Sequence, residues 1–70
     1  MHSNIKLQVN GKVCSLPLPM ILPDVLQKLG FNSRLVVVEY NGEILHRQLW
    51  QSTTIQDGDR LEVVTIFGGG

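Results

Sequence analysis

Apolar and polar residues alternate near the start of the chain: Lys6 and Gln8 separate Ile5, Leu7 and Val9. That is the period of a strand with one buried face. Asn10-Gly11 follows, and Asn-Gly readily supplies the positive φ that both central residues of a type I′ hairpin turn require. A tight turn here leaves one register, with Val9 opposite Lys12, Leu7 opposite Cys14 and Ile5 opposite Leu16. Ile5, Leu7, Val9, Cys14 and Leu16 then share a face, while Gln8 and Ser15 take the other. Pro17 and Pro19 have no N–H to give to a ladder, so the second strand is expected to stop near Leu16.

A helix is predicted from Pro23, where a missing N–H costs nothing and φ is already set. Asp24 suits the positive end of its dipole. Leu22, Val25, Leu26 and Leu29 form its apolar stripe. Gly30 is placed to end it, with Phe31 packing back on the last turn. A helix of about two turns does not persist alone and needs a sheet to lie on. Leu35-Val36-Val37-Val38-Glu39-Tyr40 is rich in β-formers and ends in a second Asn-Gly pair, Asn41-Gly42, from which Glu43-Ile44-Leu45 returns as a short strand. The stretch from His46 to Thr54 has no clear period and reads as a loop holding Trp50. Asp57-Gly58-Asp59 is a tight turn, Arg60 to Phe67 is the last strand, and Gly68-Gly69-Gly70 follows.

Strand, strand, helix, strand, short strand, strand packs most economically as an α+β domain. Its form is a mixed sheet of about four to five strands with one helix on one face, the β-grasp or ubiquitin-like arrangement. The last strand is then parallel to the first, in the middle of the sheet. The expected layout is a domain over residues 1–67 and a flexible glycine tail over 68–70 that leaves from the sheet's centre. Alternation turns Val36, Val38, Leu61, Val63 and Thr65 toward the helix, and Val37, Glu39, Glu62, Val64 and Ile66 toward the open face. Open faces of such sheets are ordinarily polar, so Val37, Val64 and Ile66, with neighbouring Phe67, form a candidate partner-binding strip beside the tail.

Size and charge narrow the function. A chain of 70 residues makes one domain. It buries only roughly 60% of its unfolded surface, which leaves little room for a catalytic pocket beside the core. Six lysines and arginines balance six aspartates and glutamates, scattered without a run. That excludes the clustered cations by which proteins bind nucleic acid or an anionic membrane surface. No apolar run approaches the ~20 residues of a membrane span, and the opening Met1-His2-Ser3-Asn4-Ile5-Lys6 lacks the apolar stretch of a signal peptide. Cys14 is the single cysteine and can form no internal disulfide, so a reducing, cytoplasmic setting is expected.

Most candidate chemistry dissolves into structure. Cys14 falls on the inward face of the hairpin, and His2 and His46 share no metal-ligand spacing with it. Asp57 and Asp59 flank a glycine as turn residues, and Trp50 is suited to plug an end of the sheet. What remains is the triglycine. It reads either as a frayed terminus or as a slender arm whose lack of Cβ atoms lets the backbone thread a narrow channel. In the second case the Gly70 carboxylate is the one reactive group within reach.

From Val38 the chain reads V-E-Y-N-G-E-I-L-H-R-Q-L-W-Q-S-T-T-I-Q-D-G-D-R-L-E-V-V-T-I-F-G-G-G. This resembles the ThiS family of thiamine-pathway sulfur carriers. The likeness lies in Asn41-Gly42, Ile44-Leu45, Arg47 with Trp50, Ile55, Asp57-Gly58-Asp59, Leu61, Val63 and the terminal glycines, and Leu22 to Phe31 resembles the family's helix. His46 stands where the family often has proline, the Pro17 to Pro23 connection is unusual, and the third glycine adds about 3.5 Å of reach.

The resemblance implies a co-substrate and not a catalyst, with no cofactor of its own. A ThiF/MoeB-like adenylyltransferase, using ATP and Mg²⁺, would convert the Gly70 carboxylate to an acyl-adenylate. A persulfide donor would replace AMP to leave a thiocarboxylate, and a ThiG-like thiazole synthase would take the sulfur into thiazole. The same fold and tail also serve molybdopterin synthase, tRNA thiolation, cysteine synthesis, protein-conjugated modifiers and inert β-grasp interaction modules. These alternatives stay open at the level of sequence.

Overall fold

The computed structural model describes residues 4–66. Strands β1 (Ile5–Val9) and β2 (Lys12–Leu16) form the hairpin in the expected register, Ile5 opposite Leu16, Leu7 opposite Cys14 and Val9 opposite Lys12. Its turn has φ 52° at Asn10 and φ 82° at Gly11, the pair of positive values that selected this dipeptide. Ile5, Leu7, Val9 and Leu16 are buried, and Cys14 packs half-buried at the margin of the core.

After Pro17 and Pro19 the chain makes a short strand that periodicity does not reveal, β3 (Met20–Ile21). It runs directly into helix α1 (Leu22–Lys28), which starts one residue before the expected Pro23. No side chain caps the helix; the Leu22 N–H donates to the Thr53 carbonyl at 2.9 Å instead. The other end closes as predicted. Gly30 has φ 87°, its N–H donates to Gln27 O at 3.1 Å, and the Phe31 N–H donates to Leu26 O at 2.9 Å. Those crossed bonds satisfy carbonyls that the helix end would otherwise orphan.

Leu35 belongs to a 3-10 turn (Ser33–Leu35), so β4 is Val36–Tyr40. The turn is capped by the Asn32 side chain, which accepts from the Arg34 N–H. A second positive-φ pair, Asn41 and Gly42, leads to β5 (Glu43–Ile44). The stretch expected to be a loop around Trp50 is a 3-10 helix (Arg47–Ser52), followed by β6 (Thr54–Ile55) and β7 (Arg60–Thr65).

The main sheet has five strands in the order β2-β1-β7-β4-β5, and β3 pairs with β6 in a separate ribbon. Strand β7 is parallel to β1 and antiparallel to β4, so the final strand lies in the centre as expected. Leu22, Val25 and Leu26 of α1 are buried with Leu7, Val36, Val38, Leu61 and Val63 of the sheet. This is the β-grasp. Thr65, expected to face the core, is exposed. Its cross-strand partner Val36 is buried, but on the other side β1 pairs with β7 only as far as Leu61, which leaves Thr65 no strand neighbour there.

Strand β1 meets β7 over only two residue pairs, Gln8 with Arg60 and Val9 with Leu61. Beyond them the Asn10 side chain takes over the role of a strand backbone. Its Nδ2 donates to Val63 O at 3.1 Å and its Oδ1 accepts from the Val63 N–H at 2.7 Å. Asn10 therefore makes the turn and lengthens the ladder. Asn10→Gly keeps the positive φ but removes both part-buried bonds. It is expected to lower unfolding free energy by about 1–3 kcal/mol, measured by denaturant titration.

Candidate functional site

The candidate site is built around the end of β7. The Ile66 N–H donates to the Leu35 carbonyl, a bond that carries the β4–β7 pairing one step past the strand. Phe67, Gly68, Gly69 and Gly70 lie outside the described residues.

Leu35 is held from several sides. Its N–H donates to Asn32 O at 2.9 Å. On either side of it, Arg47 Nη1 donates to Ser33 O at 2.7 Å and Nη2 to Val36 O at 3.2 Å. The guanidinium lies 4.6 Å from the Trp50 ring centroid, an attractive arrangement of cation over π-face. Trp50 is buried, and its Nε1–H donates to Leu45 O at 2.9 Å. Reading residues along the chain does not find the link from Arg47 to residues 33–36. A guanidinium has donors for two carbonyls, but nothing local says which ones.

The open face carries the predicted apolar strip. Val37 and Val64 are direct cross-strand partners, and Val37, Val64 and Ile66 are 36%, 61% and 45% exposed. Two further residues belong to this surface. Ile44 pairs with Glu39 and is 61% exposed, and Leu35 lies across from Ile66 with 43% exposure. A two-residue strand has no period to show which way Ile44 faces; its partner Glu39 does. Glu39 also lies opposite Glu62, a like-charge pairing that costs stability in a sheet.

The remaining candidates are structural. The Asp57 carboxylate accepts from the Lys6 N–H at 2.8 Å. The Asp59 carboxylate accepts from the Gln56 N–H at 2.8 Å, the Tyr40 hydroxyl at 2.7 Å and Asn41 Nδ2 at 3.2 Å. These are turn clasps, as their flanking of Gly58 suggested, and not an acid–base pair. Among the described residues no group of three or more His, Cys, Asp or Glu side chains could hold a metal ion. His46 is exposed at the start of the Arg47–Ser52 helix, and His2 lies outside the described residues. No helix among the described residues is long and apolar enough to cross a membrane.

A mixed five-stranded sheet grasping one helix, with its last strand central and followed in the sequence by glycines, defines the class: a ubiquitin-like β-grasp protein. Residues 7–70 match the model of the ThiS family. The chain belongs to that family.

Solved structures agree. The crystal structure of the thiamine biosynthesis protein ThiS from Geobacter metallireducens superposes with a TM-score of 0.81 at 35% identity, covering 94% of this chain and 100% of that one. In sequence, the chain is 46% identical over its 70 residues to the uncharacterized protein ycf40 of Pyropia yezoensis, spanning 99% of it. It is also 38% identical over 66 residues to a thiazole synthase of Paramagnetospirillum magneticum. That match occupies 94% of this chain but 20% of the enzyme, so the enzyme carries a segment of this kind within a longer chain.

The Tyr40 clasp gives a pH test. Its hydroxyl donates to the Asp59 carboxylate, and that bond, burial and the adjacent negative charge together push its pKa up from 10.0 to about 12. A proton held more tightly in the folded state stabilises it fully below pH ~10, and the contribution disappears as pH rises through about 12. Tyr40 is the only tyrosine, so alkaline titration of tyrosinate absorbance should show a midpoint near 12 in the folded protein and near ~10 in denaturant.

Proposed function

We propose that this protein carries sulfur for thiazole formation in thiamine biosynthesis, with the carboxylate of Gly70 as its working group. The observation that carries the reading is the central position of β7, which ends beside an exposed apolar strip immediately before Phe67-Gly68-Gly69-Gly70. Family membership and the ThiS-like segment within thiazole synthases support it. The structural assignments of Asp57, Asp59 and Trp50 also fit a protein that supplies no catalytic side chains of its own.

A carboxylate is a poor electrophile until one oxygen becomes a leaving group. In the proposed sequence the Gly70 carboxylate attacks the α-phosphate of ATP on a ThiF/MoeB-like adenylyltransferase, with Mg²⁺ supplied there, and pyrophosphate departs. A persulfide then attacks the acyl carbon and expels AMP. A thiol cleaves the resulting acyl disulfide, which leaves a thiocarboxylate on Gly70 for thiazole synthase. Residues 68–70 act as the flexible arm, since chain without Cβ atoms can enter a narrow channel. Val37, Val64, Ile66 and Phe67 form the docking strip at its base. The lone cysteine fits a reducing compartment such as the cytoplasm.

Intact-mass measurement after incubation with a cognate adenylyltransferase, ATP and a persulfide donor tests the reading. Exchange of one oxygen for sulfur is expected, and addition of thiazole synthase with its substrates should remove it. Deletion of Gly70 should abolish the mass change while the denaturation midpoint stays at its wild-type value. No mass change with an enzyme known to be competent would falsify the assignment, and attachment to other proteins would make the chain a modifier instead.

The docking strip has its own test. Ile66→Asp and Val64→Asp introduce charge at exposed positions and should leave the fold intact. Each should reduce activation by about tenfold or more, the effect of losing ~1.4 kcal/mol at an interface.

A further inference from the structure

We propose that Arg47 is a positioning residue for the C-terminal arm: by tying Ser33 to Val36 it holds the Leu35 carbonyl that anchors Ile66, and so sets where residues 67–70 leave the body. This deepens the carrier reading and rests on it.

Several bonds fix the backbone on either side of that carbonyl. The Leu35 N–H is bonded to Asn32 O at 2.9 Å. The residues bracketing Leu35 are fixed by the two arms of one guanidinium, at 2.7 Å to Ser33 O and 3.2 Å to Val36 O. That guanidinium lies against the face of Trp50, and Trp50 is itself locked by its bond to Leu45 O. The buried indole thus reaches the Ile66 N–H through Arg47 and Leu35. Without Arg47, Leu35 would hang on an exposed 3-10 turn held mainly by the cap from Asn32. Lysine does not substitute, because a single ammonium lacks the flat fork that spans two carbonyls and stacks on a ring.

The consequence lies in the length and origin of the arm. Four residues follow Ile66, and fully extended they reach about 14 Å. Releasing Ile66 lengthens the arm by one residue, about 3.5 Å, and moves its origin back to Thr65. Val37 and Val64 remain on the sheet and keep part of the docking strip, while Ile66 leaves its place in it and the carboxylate arrives out of position. Misplacement of a reacting atom by ~1 Å can cost on the order of 100-fold in rate. Arg47 therefore acts mainly on turnover, with a smaller effect on affinity through Ile66.

The test uses the full ¹⁵N-labelled chain as wild type, Arg47→Lys and Arg47→Gln, with two readouts. Amide hydrogen exchange should accelerate at Ile66 in both variants and stay at wild-type values at Val63, whose N–H is held by Asn10 in the middle of the same strand. In adenylation by the cognate enzyme, kcat should fall about tenfold or more, a larger factor than any rise in KM for the carrier. Unchanged exchange at Ile66 overturns the proposal. So does exchange that rises equally at Val63, which marks a general loss of stability, and so does a rise in KM at constant kcat, which makes Arg47 a docking contact. If the wild type is not adenylated by a competent enzyme, the carrier reading fails separately, and exchange at Ile66 decides whether Arg47 anchors the strand end.

Discussion

The structure depends on inserting its last strand between its first and its fourth. On one side β7 meets β4 over five residue pairs; on the other it meets β1 over two. The short side is reinforced by the Asn10 side chain on Val63, the Asp57 carboxylate on the Lys6 N–H, and backbone bonds from Gly58 to Lys6 and from Gln8 to Asp59. All join the beginning of the chain to its end. Leu61 and Val63 then face α1 from the centre of the sheet, so neither the sheet nor the core is complete until β7 is in place. Contacts of such long sequence separation must meet the entropy of closing nearly the whole chain into a loop.

That constraint explains how the polar residues are used. In a domain with so little interior, buried hydrogen-bonding groups need partners, and among the described residues no buried side-chain donor or acceptor lacks one. Around the start of β7, Asp57 and Asp59 clasp backbone amides, and the Asn41 Oδ1 accepts from the Arg60 N–H at 2.8 Å. At the other end Arg47 and Trp50 secure the Leu35 turn. Both termini of the central strand are therefore held by side chains from elsewhere in the chain. Exposed apolar surface is left near its C-terminal end, where Val37, Val64 and Ile66 lie on the open face. A domain braced in this way offers a firm base from which a short segment can present a chemical group to a partner.

The parts of this architecture written in the sequence are those decided between near neighbours. Alternation of Ile5, Leu7 and Val9 with Lys6 and Gln8, joined to Asn10-Gly11, determines both the face and the register of the first hairpin, because a tight turn with positive φ at both central residues permits one pairing. Gly30 and Phe31 determine how α1 ends, since the bonds that close it run only to Gln27 and Leu26. The order of elements, read with the rules of chain connection, places the final strand in the centre. The apolar character of Val37, Val64 and Ile66 is visible wherever the strand period is clear.

Tertiary structure alone decided the rest. Ribbon β3–β6 joins two short segments more than thirty positions apart, too brief to show any period. The choice of Val63 by Asn10, and of Ser33 and Val36 by Arg47, follows from where the folded backbone brings free carbonyls and amides. Thr65 is exposed where β1 no longer flanks β7, a matter of strand pairing that alternation within one strand does not contain. Local sequence determined each residue's face and its nearest turn, because steric limits on φ and the repeat of side-chain direction act over a few bonds. Which distant groups meet, and how far the core extends, was settled only when every element competed for the same small interior.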